Sequence, residues 1–185
     1  MVKIGILGLQ GGVSEHAQAL ELCGATVRVV KSPDDLCNLD GLILPGGEST
    51  TISRLVRLAG LETPLKDLIG RGLPVWGTCA GAILLCTDGI FASLEAEIVR
   101  NAYGPQLHSL LARGTFMDRM IPMVFIRAPR IISASTGTSI LGRRDADIVA
   151  IRKGHLLATT FHPELSHDLT VTRYFLDMAL EGLCF

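Results

Sequence analysis

Residues 73–86 read LPVWGTCAGAILLC, and this stretch decides the fold class. A short apolar strand, Leu73–Trp76, runs into Gly77-Thr78-Cys79-Ala80-Gly81, and an apolar helix is predicted from Ala80 to Cys86. The pattern Gly-x-nucleophile-x-Gly between a strand and a helix is typical of a nucleophile elbow, here with cysteine as the nucleophile. Its small residues leave room for a tight turn. The sulfur of Cys79 would then point out over the carboxyl end of the sheet, and the helix N-terminus would favour its thiolate form.

Predicted strands and helices alternate on the N-terminal side of this elbow. The strands are apolar along their whole length, which indicates a parallel sheet covered by helices on both faces. A helix is expected to start at a cap formed by Ser49 or Thr50 and to end near Leu58. The second half has less predicted helix, and its short strands suggest an antiparallel extension before a final helix. These later strands are predicted at 97–99, 123–126, 131–134, 148–151 and 156–160, and the final helix at 169–180.

Composition narrows the class of protein. The chain has 185 residues, 48% of them hydrophobic, and a net charge of -1, so nothing indicates nucleic acid or an anionic membrane as a partner. No apolar run is long enough to span a membrane, and the N-terminus is interpreted as a first strand and not as a signal peptide. The five cysteines show no C-x-x-C spacing, which predicts neither a disulfide framework nor a metal site and favours a cytoplasmic protein. We place no domain boundary and expect one domain over residues 1–185.

A second motif, Phe161-His162-Pro163-Glu164, follows the last predicted strand. Residues i and i+2 of an extended chain point to the same side, and Pro163 favours extended backbone before it. Glu164 can therefore orient His162, which can accept a proton from Cys79. A surface turn is the alternative for this motif by itself. Together with the cysteine elbow it predicts a catalytic triad.

A third motif, Pro45-Gly46-Gly47-Glu48-Ser49-Thr50, lies at the end of a strand and the start of a helix. Its glycines allow backbone N–H groups to turn outward and form an anion-binding nest. Together with the N–H of Ala80 they could form an oxyanion hole. A simple glycine turn before a capped helix is the alternative.

These motifs resemble the triad (class I) glutamine amidotransferases, and in particular the branch formed by the glutaminase subunits of pyridoxal 5'-phosphate synthases. The resemblance runs from residue 4 to about residue 176. It rests on LQG at 9–11 with EH at 15–16, PGGESTT at 45–51, GTCAG at 77–81, RNAYG at 100–104, FIRAP at 125–129, FHPEL at 161–165 and RYF at 173–175.

The resemblance implies a flavodoxin-like α/β/α sandwich with a mostly parallel central sheet. It implies hydrolysis of L-glutamine through a Cys79 thioester, with His162 and Glu164 completing the triad. The ammonia would pass to a synthase subunit that makes pyridoxal phosphate in vitamin B6 biosynthesis, in an assembly of twelve copies of each subunit. No cofactor or metal is implied.

The resemblance also assigns roles to individual residues. Gly47 and Ala80 would supply the oxyanion-hole N–H groups, and Gln10 would belong to a loop that responds to the partner. The glutamine substrate would be bound by Gly46, Gly47, Glu48, Ser49, Arg100 and Arg127. Carboxylate and guanidinium groups suit the ammonium and carboxylate ends of an amino acid. We expect the other histidines to be structural or surface groups, with His16 as a candidate for the subunit interface.

Two segments depart from the family pattern. The segment 82–99 is shorter than expected, and 105–110 reads PQLHSL and lacks an expected arginine and aspartate. Both departures leave the triad motifs intact and affect the rim of the glutamine pocket and the expected synthase-facing surface. Two alternatives are kept: a glutaminase or cysteine peptidase of the same fold that serves another reaction, and a non-catalytic regulatory subunit.

Overall fold

The computed structural model describes residues 1–100, 102 and 110–182, and the elements below belong to these ranges. Most of the RNAYG motif and of the altered segment 105–110 therefore lies outside the described residues. The strands are β1 (Lys3–Leu7), β2 (Thr26–Val30), β3 (Gly41–Leu44), β4 (Val75–Thr78), β5 (Ala96–Val99), β6 (Leu110–Phe116), β7 (Arg119–Phe125), β8 (Arg130–Ala134), β9 (Ser139–Arg144), β10 (Asp147–Lys153) and β11 (Leu156–Thr159). The helices are α1 (Val13–Leu22), α2 (Ser49–Leu58), α3 (Glu62–Gly70), α4 (Ala80–Leu85) and α5 (Thr170–Glu181).

One sheet runs through the described part of the chain in the order β2-β1-β3-β4-β11-β10-β9-β6-β7. The first five strands pair in parallel, whereas β10, β9, β6 and β7 continue the sheet with antiparallel pairs. A side branch joins β8 to β10 and β5 to β8, also antiparallel. Helices cover both faces, so the predicted α/β/α fold with a parallel centre and an antiparallel extension is confirmed.

Alternating side chains of the central strands build two hydrophobic layers. In β3, Leu42 and Leu44 pack on the face covered by α2, α3 and α4, whereas Ile43 points to the opposite face. That second layer contains α1 and α5, together with Trp76 and Phe175, which are fully buried. The central strands are buried on both faces, which explains why their sequences are apolar without interruption.

The predicted strands and helices differ from the structure mainly at two points. Strands β6 and β9 are not predicted from the sequence, because much of each strand is exposed and carries polar residues. Helix α2 is capped by Glu48, while Ser49 and Thr50, the predicted caps, lie inside the helix.

No helix among the described residues is long and apolar enough to cross a bilayer.

Candidate active site

The turn between β4 and α4 holds Cys79 in a conformation that side chains rarely adopt, with φ 49° and ψ −103°. The backbone N–H of Cys79 donates to the Thr159 carbonyl at 2.8 Å, which ties the turn to the end of β11. A Cβ atom on Gly81 would collide with the Leu44 carbonyl oxygen, and one on Gly77 would meet the backbone of Gly81. The elbow therefore requires both glycines. The backbone strain of the turn is located at Cys79, the candidate nucleophile.

His162 and Glu164 follow β11 and meet beside this elbow. His162 Nδ1 lies 2.7 Å from Glu164 Oε1, and the carboxylate side chain is 1% exposed. The contact between His162 and Glu164 was predicted from the sequence, but the backbone conformation predicted for it is wrong. Glu164 lies in a 3-10 turn, Pro163–Leu165, and not in extended chain. Proline at the first position of that turn is compatible with it because its missing N–H would have no partner there.

The protonation states of the three groups are set by burial and by one another. Burial lowers the pKa of His162, but hydrogen bonds with Cys79 and Glu164 outweigh it and raise that pKa to about 10. Burial disfavours the charged form of Glu164 as well, which by itself would raise its pKa. The contacts of Glu164 with His16 and His162 outweigh burial and leave the pKa below its usual value. At neutral pH the site therefore holds an imidazolium between a carboxylate and the Cys79 sulfur.

The glycine loop at the end of β3 packs directly on this pair. A Cβ atom on Gly46 would collide with His162 Cε1 and would lie 3.3 Å from the Cβ of Cys79. A Cβ atom on Gly11, whose φ is +106°, would collide with the Gly46 carbonyl oxygen. Two backbone turns, at 10–12 and 45–47, are therefore stacked beside the cysteine, and only glycine fits at their contact.

Glu48 caps helix α2 and also faces the site. Its carboxylate accepts from Thr51 N at 2.7 Å, from Thr50 N at 3.2 Å and from both threonine hydroxyls. These bonds, the Thr50 hydroxyl first, lower the pKa of Glu48 to about 2. The N–H of Glu48 donates to Gln10 Oε1 at 3.0 Å, so the side chain of Gln10 bridges the two glycine turns.

A cavity of about 340 Å³ opens above the elbow. Cys79, Arg100 and Arg127 all line this cavity, and the backbone of Arg127 has a positive φ of 44°. Both signs of charge and a nucleophile share this volume, which suits a small zwitterionic substrate. Residues that line it are Gly11, Gly12, Glu15, Gly46, Gly47, Glu48, Ser49, Cys79, Ala80, Ile83, Arg100, Ile126, Arg127, His162, Glu164 and Leu165.

All of the residues proposed from sequence for catalysis and substrate binding lie in this lining, and Gln10 contacts it through its hydrogen bond with Glu48. Sequence reasoning missed Gly12, Glu15 and Ile126, whose carbonyl oxygen is 3.8 Å from the Cys79 sulfur. It treated His16 as a structural or surface group and a candidate for the subunit interface, whereas the structure buries it against Glu164. The pair Glu15-His16, directly after a glycine turn, was the signal available for both residues. Among the described residues no cluster of His, Cys, Asp and Glu could hold a metal ion.

A cysteine on a strained elbow, paired with a histidine that a glutamate orients, defines the class of triad amidases on an α/β sheet. Comparison with known proteins narrows this class. Residues 6–181 match the model of the SNO glutamine amidotransferase family, so the chain belongs to that family.

Relatives and solved structures agree with this assignment. The chain is 44% identical to the pyridoxal 5'-phosphate synthase subunit PdxT of Geobacillus kaustophilus, covering 98% of this chain and 96% of the relative. It is also 44% identical to the PdxT subunit of Thermotoga maritima, with 96% and 99% covered. A crystal structure of a glutamine amidotransferase superposes with a TM-score of 0.88 at 38% identity, over 95% of this chain and 98% of that chain. PurLQS from Thermotoga maritima, at 15% identity and a TM-score of 0.74 with 98% of both chains covered, shares the fold.

Proposed function

We propose that this chain is the glutaminase subunit of a pyridoxal 5'-phosphate synthase. It hydrolyses L-glutamine to L-glutamate and ammonia and supplies the ammonia to a synthase subunit in vitamin B6 biosynthesis. The observation that carries the proposal is the buried Cys79–His162–Glu164 arrangement beneath a cavity that holds both carboxylates and guanidinium groups. Near-complete alignment with PdxT subunits supports the choice of synthase.

The proposed reaction starts from the thiolate and imidazolium pair. The sulfur of Cys79 attacks the side-chain amide carbon of glutamine, and the carbonyl oxygen becomes an oxyanion that accepts from the N–H groups of Gly47 and Ala80. As the tetrahedral intermediate collapses, the C–N bond breaks and His162 donates its proton to the leaving nitrogen, which departs as ammonia. A thioester on Cys79 remains.

Water completes the cycle. Neutral His162 accepts a proton from a water molecule, whose oxygen attacks the thioester carbon. Collapse breaks the C–S bond, releases glutamate and restores the thiolate beside the imidazolium. Glu164 remains ionised throughout and holds the ring through its 2.7 Å contact with Nδ1.

Substrate binding is assigned to the cavity wall. Arg100 and Arg127 would bind the α-carboxylate of glutamine, because guanidinium groups match carboxylate geometry. Gly46, Gly47, Glu48 and Ser49 would form the opposite wall. The carboxylate of Glu48 already accepts four hydrogen bonds, so it would serve the substrate ammonium as a fixed charge.

We also infer the wider setting of the subunit. Residues 1–185 would form one glutamine amidotransferase domain in a cytoplasmic assembly of twelve glutaminase and twelve synthase subunits. The loop that holds Gln10 would respond to the synthase. The hydrogen bond between Gln10 and Glu48 supports this inference, because movement of the loop would reach the oxyanion turn directly.

Substitution of Cys79 by alanine tests the proposed function. In complex with the synthase subunit, Cys79→Ala should abolish pyridoxal phosphate formation from glutamine but leave formation from added ammonium intact, because ammonia bypasses the thioester. Both reactions can be followed by absorbance of the product. Formation from glutamine by Cys79→Ala would refute the assigned nucleophile, and a wild-type complex that used only ammonium would refute the glutaminase.

A further inference from the structure

Helix α1 buries a histidine against the triad. His16 is 1% exposed, and its ring packs edge-on against Trp76 with centroids 5.3 Å apart. The helix starts directly after the glycine turn at 10–12, so His16 joins that turn to the residues behind the elbow. A polar ring at such a buried position requires polar partners.

Two oxygen atoms face the same nitrogen of this ring. His16 Nε2 lies 3.2 Å from the hydroxyl of Thr78 and 3.4 Å from Oε2 of Glu164. The other carboxylate oxygen, Oε1, is occupied by His162. Oε2 is buried, and at 3.4 Å the His16 contact is longer than a full hydrogen bond. Among the described groups none makes a full hydrogen bond to Oε2, His16 included.

The groups around His16 indicate which ring nitrogen carries its proton. An ionised carboxylate only accepts hydrogen bonds, so a nitrogen that faces Glu164 Oε2 must carry the proton. Burial lowers the pKa of His16 by more than Glu164 raises it, so the ring is neutral. A neutral donor that faces the unpartnered Oε2 adds no second positive charge, which leaves the charge of Glu164 to stabilise the imidazolium of His162.

We propose that His16 is a positioning residue of the glutaminase reaction: its Nε2–H holds the second oxygen of Glu164 and so fixes the carboxylate that orients His162. This inference rests on the proposed function. His16 touches neither the cavity nor the nucleophile and acts only through Glu164. The hydroxyl of Thr78, the residue before Cys79, lies at hydrogen-bond distance from the same nitrogen and competes with Glu164 for its proton.

Three substitutions separate the donor from the packing of the ring. His16→Leu keeps an apolar side chain against Trp76 but removes the N–H. His16→Gln places an amide donor near the position of Nε2. Thr78→Val removes the competing hydroxyl and leaves the histidine N–H to Glu164. Each variant is assayed in the complex with the synthase subunit for kcat and KM of glutamate release, and urea unfolding measures its stability.

We expect His16→Leu to lower kcat between about tenfold and a hundredfold with little change in KM, because misplacement by ~1 Å can cost about a hundredfold. His16→Gln should recover most of that loss, and Thr78→Val should retain kcat. Equal losses in His16→Leu and His16→Gln would overturn the proposal, since packing would then explain them. A loss of kcat in Thr78→Val as large as in His16→Leu would also overturn it. The contact of His16 with Thr78 in strand β4, and not its contact with Glu164, would then explain the loss.

A second readout does not depend on glutaminase activity. The rate at which iodoacetamide alkylates Cys79, measured peptide by peptide with mass spectrometry, reports the thiolate that His162 stabilises. It should fall in His16→Leu and recover in His16→Gln even if the chain served another reaction. An unchanged rate in folded His16→Leu would refute the positioning role, whereas absence of glutamate release by the wild-type complex would refute only the proposed function.

Discussion

The charge state of His162 is the residue-scale feature on which the site depends. The ring is mostly buried, which by itself would favour the neutral form, yet two hydrogen-bonding partners hold it protonated. Glu164 is supported in turn by His16, so the order of contacts is Cys79, His162, Glu164 and His16. Cys79 and Glu164 together set the protonation state of His162. The imidazolium beside Cys79 is therefore present before any substrate binds.

This order predicts the titration of His162. The pKa of His162 is raised from 6.5 to about 10, so its stabilising contribution is fully present below pH 6.5 and is lost as the pH rises through about 10. In Cys79→Ala one cause of the raised pKa disappears, and the midpoint of the imidazole resonance in an NMR titration should move to lower pH. Cys86→Ala, a buried cysteine at the end of α4, is the matched control and should leave the midpoint near 10. Equal midpoints in wild type and Cys79→Ala would contradict the thiolate–imidazolium pair.

At the scale of elements, the site exists because three chain segments meet at the carboxyl ends of parallel strands. Strand β3 ends at the glycine turn, β4 ends at the nucleophile and β11 ends just before His162. Helix α4 approaches β3 so closely that Gly81 lies against the Leu44 carbonyl. The position of Cys79 relative to the glycine turn at 45–47 is set by this contact.

The close approach of α4 and β3 predicts a large cost for one added methyl group. Gly81→Ala should lower the free energy of unfolding by about 3 kcal/mol or more, because the new Cβ meets backbone that must move. Gly70→Ala, at the end of α3 where no atom lies within 4 Å of an added Cβ, is the control and should be neutral or gain ~0.4–1 kcal/mol. Urea unfolding compares the two. Similar stabilities for both variants would show that the packing of α4 on β3 is looser than described.

For the molecule as a whole, the sequence predicted what depends on local pattern. The parallel half of the sheet, the elbow and the pairing of His162 with Glu164 follow from apolar runs and short motifs. Contacts that depend on packing between distant segments were not predictable: His16 reaches Glu164 from the other end of the chain. Strands β6 and β9 were missed because many of their side chains are exposed and several are polar, which weakens the apolar pattern. The 3-10 turn at Glu164 was missed because Pro163 is compatible with both extended and helical backbone.

The most direct measurement is glutamate release from glutamine by the chain alone and with the synthase subunit, in wild type and in Cys79→Ala. We predict that release appears when the synthase is added to the wild type and is absent from Cys79→Ala under both conditions. Glutamate release by Cys79→Ala, or none from the wild-type complex, would contradict the assignment of Cys79 as the nucleophile of a synthase-coupled glutaminase.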